Sequence, residues 1–385
     1  MTDHELKYWL ALKWVHGLGN VGFMSLLEAF GSPEEVFQAP AAKLQAIPGI
    51  GPKIAAGIKA FHQWTEVEKE LSNARERQVA LVTCRDSSYP PNLLNIYDFP
   101  PVLYVKGTLR EDDICIAVVG SRMASTYGRF STERLCRDLA MKGITVVSGL
   151  ARGIDTAAHQ GSLAAKGRTI AVLGCGLDIV YPPENKALLE RIPLQGAVIT
   201  EFPFGTPPQG TNFPARNRII SGLALGVVVV EASYRSGSLI TARVALEQGR
   251  EVFAVPGSID ADGSKGTNKL IKEGAKLIES ADDILEEILP QIRKKLTPLS
   301  PVKNDNPKVS PHDPVAEKPS ALSQQTLTDE EAKLLQYLSA TPVSVDQLIS
   351  LTGGKAGEIL NTLLLLELKQ LISQLPGKMF IRKEK

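Results

Sequence analysis

Short apolar runs alternate with helix-like segments through the middle of the chain. The runs are apolar at every position, and helical patterns over 127–141, 155–165 and 239–248 lie between them. Strands of this kind, separated by helices, are typical of a parallel sheet covered on both faces. We therefore predict an α/β, Rossmann-like doubly wound parallel sheet over residues 114–290. Its predicted strands are 114–119, 144–148, 169–174, 197–201, 226–232 and 251–255.

Different patterns flank this region. Residues 1–75 read as a small all-α domain, with the tryptophans Trp9, Trp14 and Trp64 on apolar stripes. Residues 76–113 carry strand-like runs at 79–83 and 102–105 around a proline-rich stretch, and we interpret them as a lead-in extension to the sheet domain.

The C-terminal part divides into a linker and a third domain. Residues 291–325 are predicted to be a disordered linker, because the segment is rich in Pro, Ser, Lys and Asp and has few large apolar residues. Residues 326–385 predict three helices and a small hairpin, which is a winged helix. Its second turn helix offers mainly Lys355, Glu358 and Asn361. A protein-contact or self-association surface is therefore at least as well supported as sequence-specific DNA reading.

Two segments of the N-terminal domain share a helix-hairpin-helix pattern. Residues 15–22 and 47–53 each place a Gly-x-Gly between a hydrophobic residue and a helix start. The first copy has no basic residue in its turn, which favours a purely structural corner. The second copy has Lys53 in its turn. For this copy, a contact with phosphate and a purely structural corner are equally well supported.

Composition limits the kind of site that the chain can carry. A formal net charge of +1 over 385 residues gives no overall signature of nucleic-acid binding, so a DNA site must be a local patch. The four cysteines form no CxxC pair and are expected to be buried, with no metal site and no disulfide framework. Neither a signal peptide nor a run of transmembrane length is evident, and we expect a cytoplasmic protein.

The carboxyl ends of the predicted strands carry the candidate chemistry, because ligands of such sheets bind there. After the first strand, Gly120 permits a sharp turn, while Ser121, the helix-start N–H groups and Arg122 can hold a phosphate. The GxGxxG spacing of dinucleotide sites is absent. A plain turn with an exposed arginine is the alternative for this segment alone.

The second strand end places Arg152 between two glycines, and Arg152 joins the predicted DNA contacts. Asp155 is predicted to cap a helix that starts at Thr156, and it could also fix Arg152. His159 is interpreted as a packing histidine. At the third strand end, Tyr181 is assigned to the core rather than to base stacking.

The fourth and fifth strand ends complete the candidate site. The fourth strand end places an aromatic ring, a cation and an amide before an apolar helix, at Phe213, Arg216 and Asn217. For Arg218, both phosphate contact and a structural ion pair remain open. Repeated phosphate sites together with an aromatic ring suit single-stranded DNA, and no P-loop or other cofactor site is predicted. Candidate phosphate contacts at the next helix start are Ser236, Gly237, Ser238 and Thr241.

Several long segments then resemble a known family. IAVVGSRMASTYG, VVSGLARGIDTAAH, TIAVLGCGLDIVYPPEN, NFPARNRIISGLA and VVVVEASYRSGSLITARVALEQGREVFAVPG occur in this order. Together they resemble the DNA-processing protein A family (DprA/Smf) from Ser88 to about Ile278. The resemblance implies a non-enzymatic homodimer that binds and protects single-stranded DNA and loads RecA onto it in natural transformation (competence). Single-strand-binding protein is a further candidate partner, and no membrane is involved.

The resemblance also implies which residues form the DNA pocket. They are Gly120, Ser121 and Arg122 of the first turn and Phe213, Arg216 and Asn217 of the fourth, with phosphate contacts added by Ser236 and Gly237. Many members have a lysine shortly before the NFP segment. This chain has Gln209-Gly-Thr there, which removes one expected cation.

The alternative function is enzymatic. A nucleoside-phosphate hydrolase of the lysine-decarboxylase-like Rossmann group would use Glu231, Arg243 and Glu247 for acid–base work. That group carries a PGG-x-GT-x-x-E pattern, whereas this chain reads YRSGSLITA and has no glutamate at the required spacing.

Overall fold

A computed structural model of the chain describes residues 2–296, 329–339, 343–352, 359, 362–363, 366, 371–375 and 379–382. The chain divides into two compact units, Met1–Pro301 and Val302–Lys385. Among the described residues, no helix is both long and apolar enough to cross a membrane.

A nine-stranded sheet forms the centre of the first unit as far as it is described. Its strand order is β1-β2-β6-β5-β4-β3-β7-β8-β9, and the seven strands from β6 to β9 in that order are parallel. This arrangement confirms the predicted fold class. The strands are β1 (Ala80–Thr83), β2 (Val102–Gly107), β3 (Cys115–Val119), β4 (Thr145–Ser148), β5 (Thr169–Val172), β6 (Ala197–Thr200), β7 (Gly226–Val229), β8 (Glu251–Ala254) and β9 (Lys276–Leu277).

The two lead-in strands belong to this same sheet. β2 pairs antiparallel with β6, and β1 pairs antiparallel with β2, so that residues 76–113 form one edge of the sheet. The apolar pattern found these two strands but did not show which neighbour they pair with. The short β9 at the opposite edge was missed, because two residues are too few for a periodic signal.

Helices cover both faces of the sheet. The helices of the first unit are α1 (Asp3–Lys13), α2 (Asn20–Phe30), α3 (Pro33–Gln38), α4 (Ala41–Gln45), α5 (Pro52–Lys59), α6 (Trp64–Glu76), α7 (Thr126–Met141), α8 (Ile154–Ala164), α9 (Lys186–Arg191), α10 (Asn212–Leu223), α11 (Gly237–Glu247), α12 (Asp262–Lys272) and α13 (Ala281–Leu296). Side chains of α7, α8 and α13 pack on one face, and those of α10 and α11 pack on the other. Alternate residues of β3 serve the two faces: Ile116 and Val118 point to the first, and Ala117 and Val119 to the second.

The N-terminal helices α1–α6 form a bundle that packs against the sheet at β2, since Val102 and Tyr104 of β2 are buried in its core. Its two glycine turns have the same backbone. Gly17 and Gly49 have φ of +81° and +84°, which favours glycine. Gly19 and Gly51 then act as the N-caps of α2 and α5. The predicted tandem of hairpins is therefore present.

The second unit has the elements of a winged helix in its described part. They are α14 (Asp329–Gln336), β10 (Val343–Ser344), α15 (Val345–Thr352), β11 (Ile372–Leu375) and β12 (Met379–Arg382). The strands pair antiparallel in the order β10-β12-β11, and Leu334, Leu348 and Phe380 are buried together. Lys355, Glu358 and Asn361 lie outside the described residues.

The predicted linker begins too early. α13 continues through Pro290 to Leu296, so residues 291–296 extend a helix instead of starting a disordered segment. Ile284 and Ile288 anchor this helix in the core, and packing of that kind outweighs the one backbone hydrogen bond that a proline removes. Residues 297–325 lie outside the described residues.

Candidate functional site

A groove with a volume of about 840 Å³ opens at the carboxyl edge of the parallel strands. From β3 the chain winds outward through β4, β5 and β6, and then returns to the other side of β3 with β7. Such a reversal leaves a crevice where ligands of doubly wound sheets bind. Ten of the thirteen predicted contacts line the groove, namely Gly120, Ser121, Arg122, Phe213, Arg216, Asn217, Ser236, Gly237, Ser238 and Thr241.

Phe213 is the aromatic centre of the groove. It lies in the first turn of α10 and is half-buried. The guanidinium carbon of Arg122 is 5.1 Å from the ring centroid, within the range of a cation–π contact. Gly174, after β5, lets the ring lie close to the strand end, because a Cβ there would be 3.0 Å from the ring.

Tyr181 lies beside this ring, and the two ring centroids are 5.6 Å apart with an interplanar angle of 34°. The tyrosine packs against core residues and also lines the groove. The assignment of Tyr181 to the core alone was therefore incomplete. The tyrosine precedes a proline pair in a loop, and loop sequence does not reveal which way a ring points.

The turn after β3 packs tightly against the start of α8. A Cβ on Gly120 would lie 2.6 Å from the side chain of Ile154, and the backbone carbonyl of Ser121 accepts a hydrogen bond of 3.1 Å from the Ile154 N–H. The Ser121 hydroxyl accepts a hydrogen bond of 3.1 Å from the Met123 N–H. Arg122 itself is exposed, which both a phosphate-binding cation and a plain turn predict, so its contact with DNA stays a prediction.

Arg216 is not the open cation that we expected. Its guanidinium is buried, and Nη1 donates to the carbonyl oxygens of Gly149 (2.6 Å) and Val172. Burial lowers the pKa of Arg216 to about 10, and the charge of Asp155 opposes this shift. The helix turn directs the side chain under the strand ends, so its first role is structural. Contact between Arg216 and DNA stays a prediction.

Asp155 does not pair with Arg152. α8 begins at Ile154, two residues earlier than predicted, and the Asp155 carboxylate accepts hydrogen bonds from the N–H groups of Gly149 (3.1 Å) and Ala151 (3.3 Å). Burial raises the pKa of this carboxyl, while the nearby Arg216 charge lowers it.

Arg152 instead forms an exposed ion pair with Glu184. It lies outside the groove and lines a small adjoining pocket together with Arg122 and Phe213. Arg152 therefore borders the site rather than lining its main volume.

Two other candidate cations lie away from the groove. Arg218 donates to both carboxylate oxygens of Glu201 at 2.8 Å and to Asp98 at 2.7 Å. These contacts support the structural ion pair, while phosphate contact by Arg218 stays a prediction. Lys53 is exposed at the start of α5 in the N-terminal bundle and does not line the groove.

The start of α11 forms the opposite wall. The hydroxyl oxygens of Ser236 and Ser238 are 2.7 Å apart, and Thr241 is buried one turn further on. Gly237 is exposed, and apart from its chain neighbours and the backbone of its own helix turn, no atom lies within 4 Å of the position that a Cβ would take. The Ser236 hydroxyl accepts a hydrogen bond from the Ser238 N–H and so caps the helix. An anion can still approach this helix start at Gly237.

Glu231 has a role that the sequence did not reveal. Its buried carboxylate accepts hydrogen bonds from the Ser125 N–H (2.9 Å) and from the Ser125 hydroxyl. The Ser125 hydroxyl in turn accepts from the Gly128 N–H and caps α7. The start of α7 was expected to offer free N–H groups to a phosphate. This expectation needs correction, because the Ser125 N–H already donates to Glu231 and the Gly128 N–H to the Ser125 hydroxyl. The only sequence signal was an acid at a strand end.

The residues of the enzymatic alternative do not come together as a catalytic group. Glu231 is engaged with Ser125, while Arg243 and Glu247 are exposed on α11 and do not line the groove. In the part of the chain that the structure describes, no cluster of His, Cys, Asp and Glu could hold a metal ion.

Comparisons with known proteins agree with this architecture. The family model for DNA recombination-mediator protein A matches residues 80–289, a DprA winged-helix model matches 318–378, and a SAM-like helix-hairpin-helix tandem matches 10–61.

Individual relatives extend the comparison to the whole chain. Protein Smf of Synechocystis is 35% identical over 398 residues and aligns over 100% of both chains. DNA processing protein DprA of Streptococcus pneumoniae is 50% identical over 206 residues, covering 52% of this chain and 72% of that protein. An X-ray structure of DNA processing protein A from S. pneumoniae is 41% identical, with a TM-score of 0.65 over 73% of this chain and 97% of that one.

The buried position of Arg216 predicts a stability effect. Arg216→Ala leaves the carbonyls of Gly149 and Val172 without their donor, so we expect the free energy of unfolding to fall by about 3 kcal/mol. Arg122→Ala, at an exposed site, should change it by less than about 0.5 kcal/mol. Urea unfolding followed by circular dichroism measures both, and equal stability of the two variants would contradict the structural role of Arg216.

His159 predicts a pH dependence. Its ring is fully buried, Nδ1 lies 2.7 Å from the Thr169 hydroxyl, and burial lowers the pKa to about 3 from an ordinary value of 6.5. Between those values only the unfolded chain takes up the proton. Stability is therefore lost as pH falls below about 6.5, by up to about 1.4 kcal/mol per pH unit. His159→Gln should flatten this slope in urea unfolding, whereas the exposed His62→Gln should leave it unchanged.

Proposed function

Because this chain belongs to the DNA recombination-mediator protein A family, we propose that it is a mediator that binds single-stranded DNA in the groove. In this proposal it protects incoming DNA during natural transformation and loads RecA onto it. It acts in the cytoplasm as a homodimer, has single-strand-binding protein as a further partner and catalyses no reaction. The names of its relatives, which describe DNA processing, support this assignment.

The observation that carries the proposal is the cluster of Phe213, Arg122 and Tyr181 in the groove. A half-exposed ring flanked by a cation can take an unpaired base on its face, with the adjacent phosphate on the guanidinium. The open start of α11 at Gly237 offers a second phosphate site across the groove. A base in a duplex cannot stack on a protein ring without leaving its own stack, so this arrangement favours a single strand.

Arg152 can supply the cation that is absent at Gln209. Its ion pair with Glu184 is exposed on both sides, and exposed pairs contribute little to stability. Arg152 can therefore exchange the carboxylate for a DNA phosphate at small cost. Since it shares a pocket with Arg122 and Phe213, the phosphate would be part of the same bound strand.

The enzymatic alternative has less support. An acid–base pair has to reach the substrate, whereas the Glu231 carboxylate is committed to the start of α7. Incubation with nucleoside monophosphates should accordingly release neither base nor phosphate.

Binding to single-stranded oligonucleotides tests the groove. Phe213→Ala and Arg122→Ala should each weaken binding about tenfold or more, because each removes a contact worth about 1–3 kcal/mol. Only Arg122→Ala should also reduce the slope of log affinity against log salt, by about 0.7 for one phosphate contact. Fluorescence anisotropy in a salt series measures both quantities.

Arg243→Ala and Tyr97→Ala serve as matched controls, since both side chains are exposed and neither lines the groove. Both controls should bind like the parent. If Phe213→Ala and Arg122→Ala also bind like the parent while remaining folded, the groove is not the DNA site.

RecA loading is tested separately. RecA filaments on strands coated with single-strand-binding protein should assemble faster in the presence of this protein, and Phe213→Ala should remove the acceleration. Light scattering or RecA ATPase activity follows assembly. Normal DNA binding without any acceleration would refute RecA loading and leave the binding site intact.

A further inference from the structure

The solvent side of α7 carries several large side chains. Met123, just before the helix, is 93% exposed, Tyr127 is 59%, Phe130 is 69% and Met141 is 65% exposed. Burial of such side chains is the rule in soluble proteins, so a concentration of exposed ones on one element indicates a binding surface.

These side chains share one face with two arginines. At about 100° per residue, the five positions from Tyr127 to Met141 fall within a sector of about 80°. We call this sector, together with Met123 just before the helix, the α7 stripe, and it consists of Met123, Tyr127, Phe130, Arg134, Arg137 and Met141.

The charge of the α7 stripe is positive. Arg134 is exposed and has no acidic partner within 4 Å among residues 2–296. Arg137 has only a long contact of 3.6 Å with its neighbour Asp138, which leaves it available to another anion. The stripe thus combines rings with cations, the two kinds of group that single-strand sites use.

The stripe begins at the groove. Arg122 and Met123 line the groove, and α7 starts at Thr126, directly after them. The sixteen residues of α7 span about 24 Å along the surface. A strand that leaves the groove past Arg122 therefore meets the stripe without a break in the surface.

We propose that the α7 stripe is a second segment of the DNA track. A single strand whose first bases occupy the groove continues along α7, with bases on Tyr127 and Phe130 and phosphates at Arg134 and Arg137. This inference rests on the proposed function of the groove. A partner protein that binds exposed rings and arginines is the alternative occupant of the α7 stripe. The continuity of the stripe with the groove favours single-stranded DNA.

Oligonucleotide length separates the two segments. A strand of about 6 nucleotides fills the groove, and one of about 16 nucleotides also reaches the stripe. Phe130→Ala and Arg134→Ala should each weaken binding of the longer strand about five- to tenfold and leave the shorter one unchanged. Arg134→Ala should lower the salt slope of the longer strand by about 0.7.

The same helix provides a control. Arg129 is exposed on α7 but points about 140° away from Arg134, so Arg129→Ala removes the same charge off the stripe. Leu246→Ala removes an exposed apolar side chain on α11. Both variants should bind strands of either length like the parent.

The outcomes distinguish the stripe from the groove. If Phe130→Ala and Arg134→Ala bind the longer strand like the parent while Phe213→Ala weakens both lengths, the stripe proposal is refuted and the groove stands. If Phe213→Ala affects neither length, the groove itself fails. Equal losses of affinity for the longer strand in Arg129→Ala and Arg134→Ala would show that only the general positive charge of α7 matters, and would refute the stripe proposal. A changed sedimentation coefficient in Phe130→Ala would identify a protein interface and refute the DNA track.

Discussion

A positive charge buried beneath the strand ends holds the groove in shape. The guanidinium of Arg216 bridges the carbonyls after β4 and at the end of β5, and thereby ties α10 to the sheet. Gly149 is required beside it, because any Cβ there would occupy the space of the guanidinium. Asp155, buried nearby, lowers the cost of the desolvated charge. Phe213 lies one helical turn before Arg216, so the position of the ring depends on this anchor.

Two helix starts at the carboxyl edge of the sheet differ in whether a carboxylate of the chain itself binds there. The start of α7 receives a carboxylate from the chain itself, Glu231, whereas the start of α11 is capped by the Ser236 hydroxyl and leaves Gly237 open to solvent. Doubly wound folds that bind dinucleotides place a phosphate at the first helix. Here that position is filled by Glu231 of the chain itself, and the open space at Gly237 lies across the groove.

The sequence predicted most of the fold because its signals are local. Apolar runs bounded by glycine located the main strands to within a few residues, and paired Gly-x-Gly segments located both hairpin turns. The roles of individual charges depended on distant parts of the chain. Arg216 and Arg218 are two residues apart, yet one binds carbonyls under the sheet and the other binds Glu201 and Asp98. Ser125 lies 106 residues before Glu231, and no spacing rule connects them.

The two ends of the sheet limit how copies of this chain can associate. Unpaired strand edges are templates for intermolecular pairing, and proteins reduce this risk by shortening them. β1 has four residues and β9 has two, so each edge offers a partner strand very few backbone hydrogen bonds. A continuous sheet across two subunits would therefore gain little from either edge. Copies of this chain that associate would therefore have to do so through side-chain surfaces, because a shared sheet has so few backbone groups to offer at either edge.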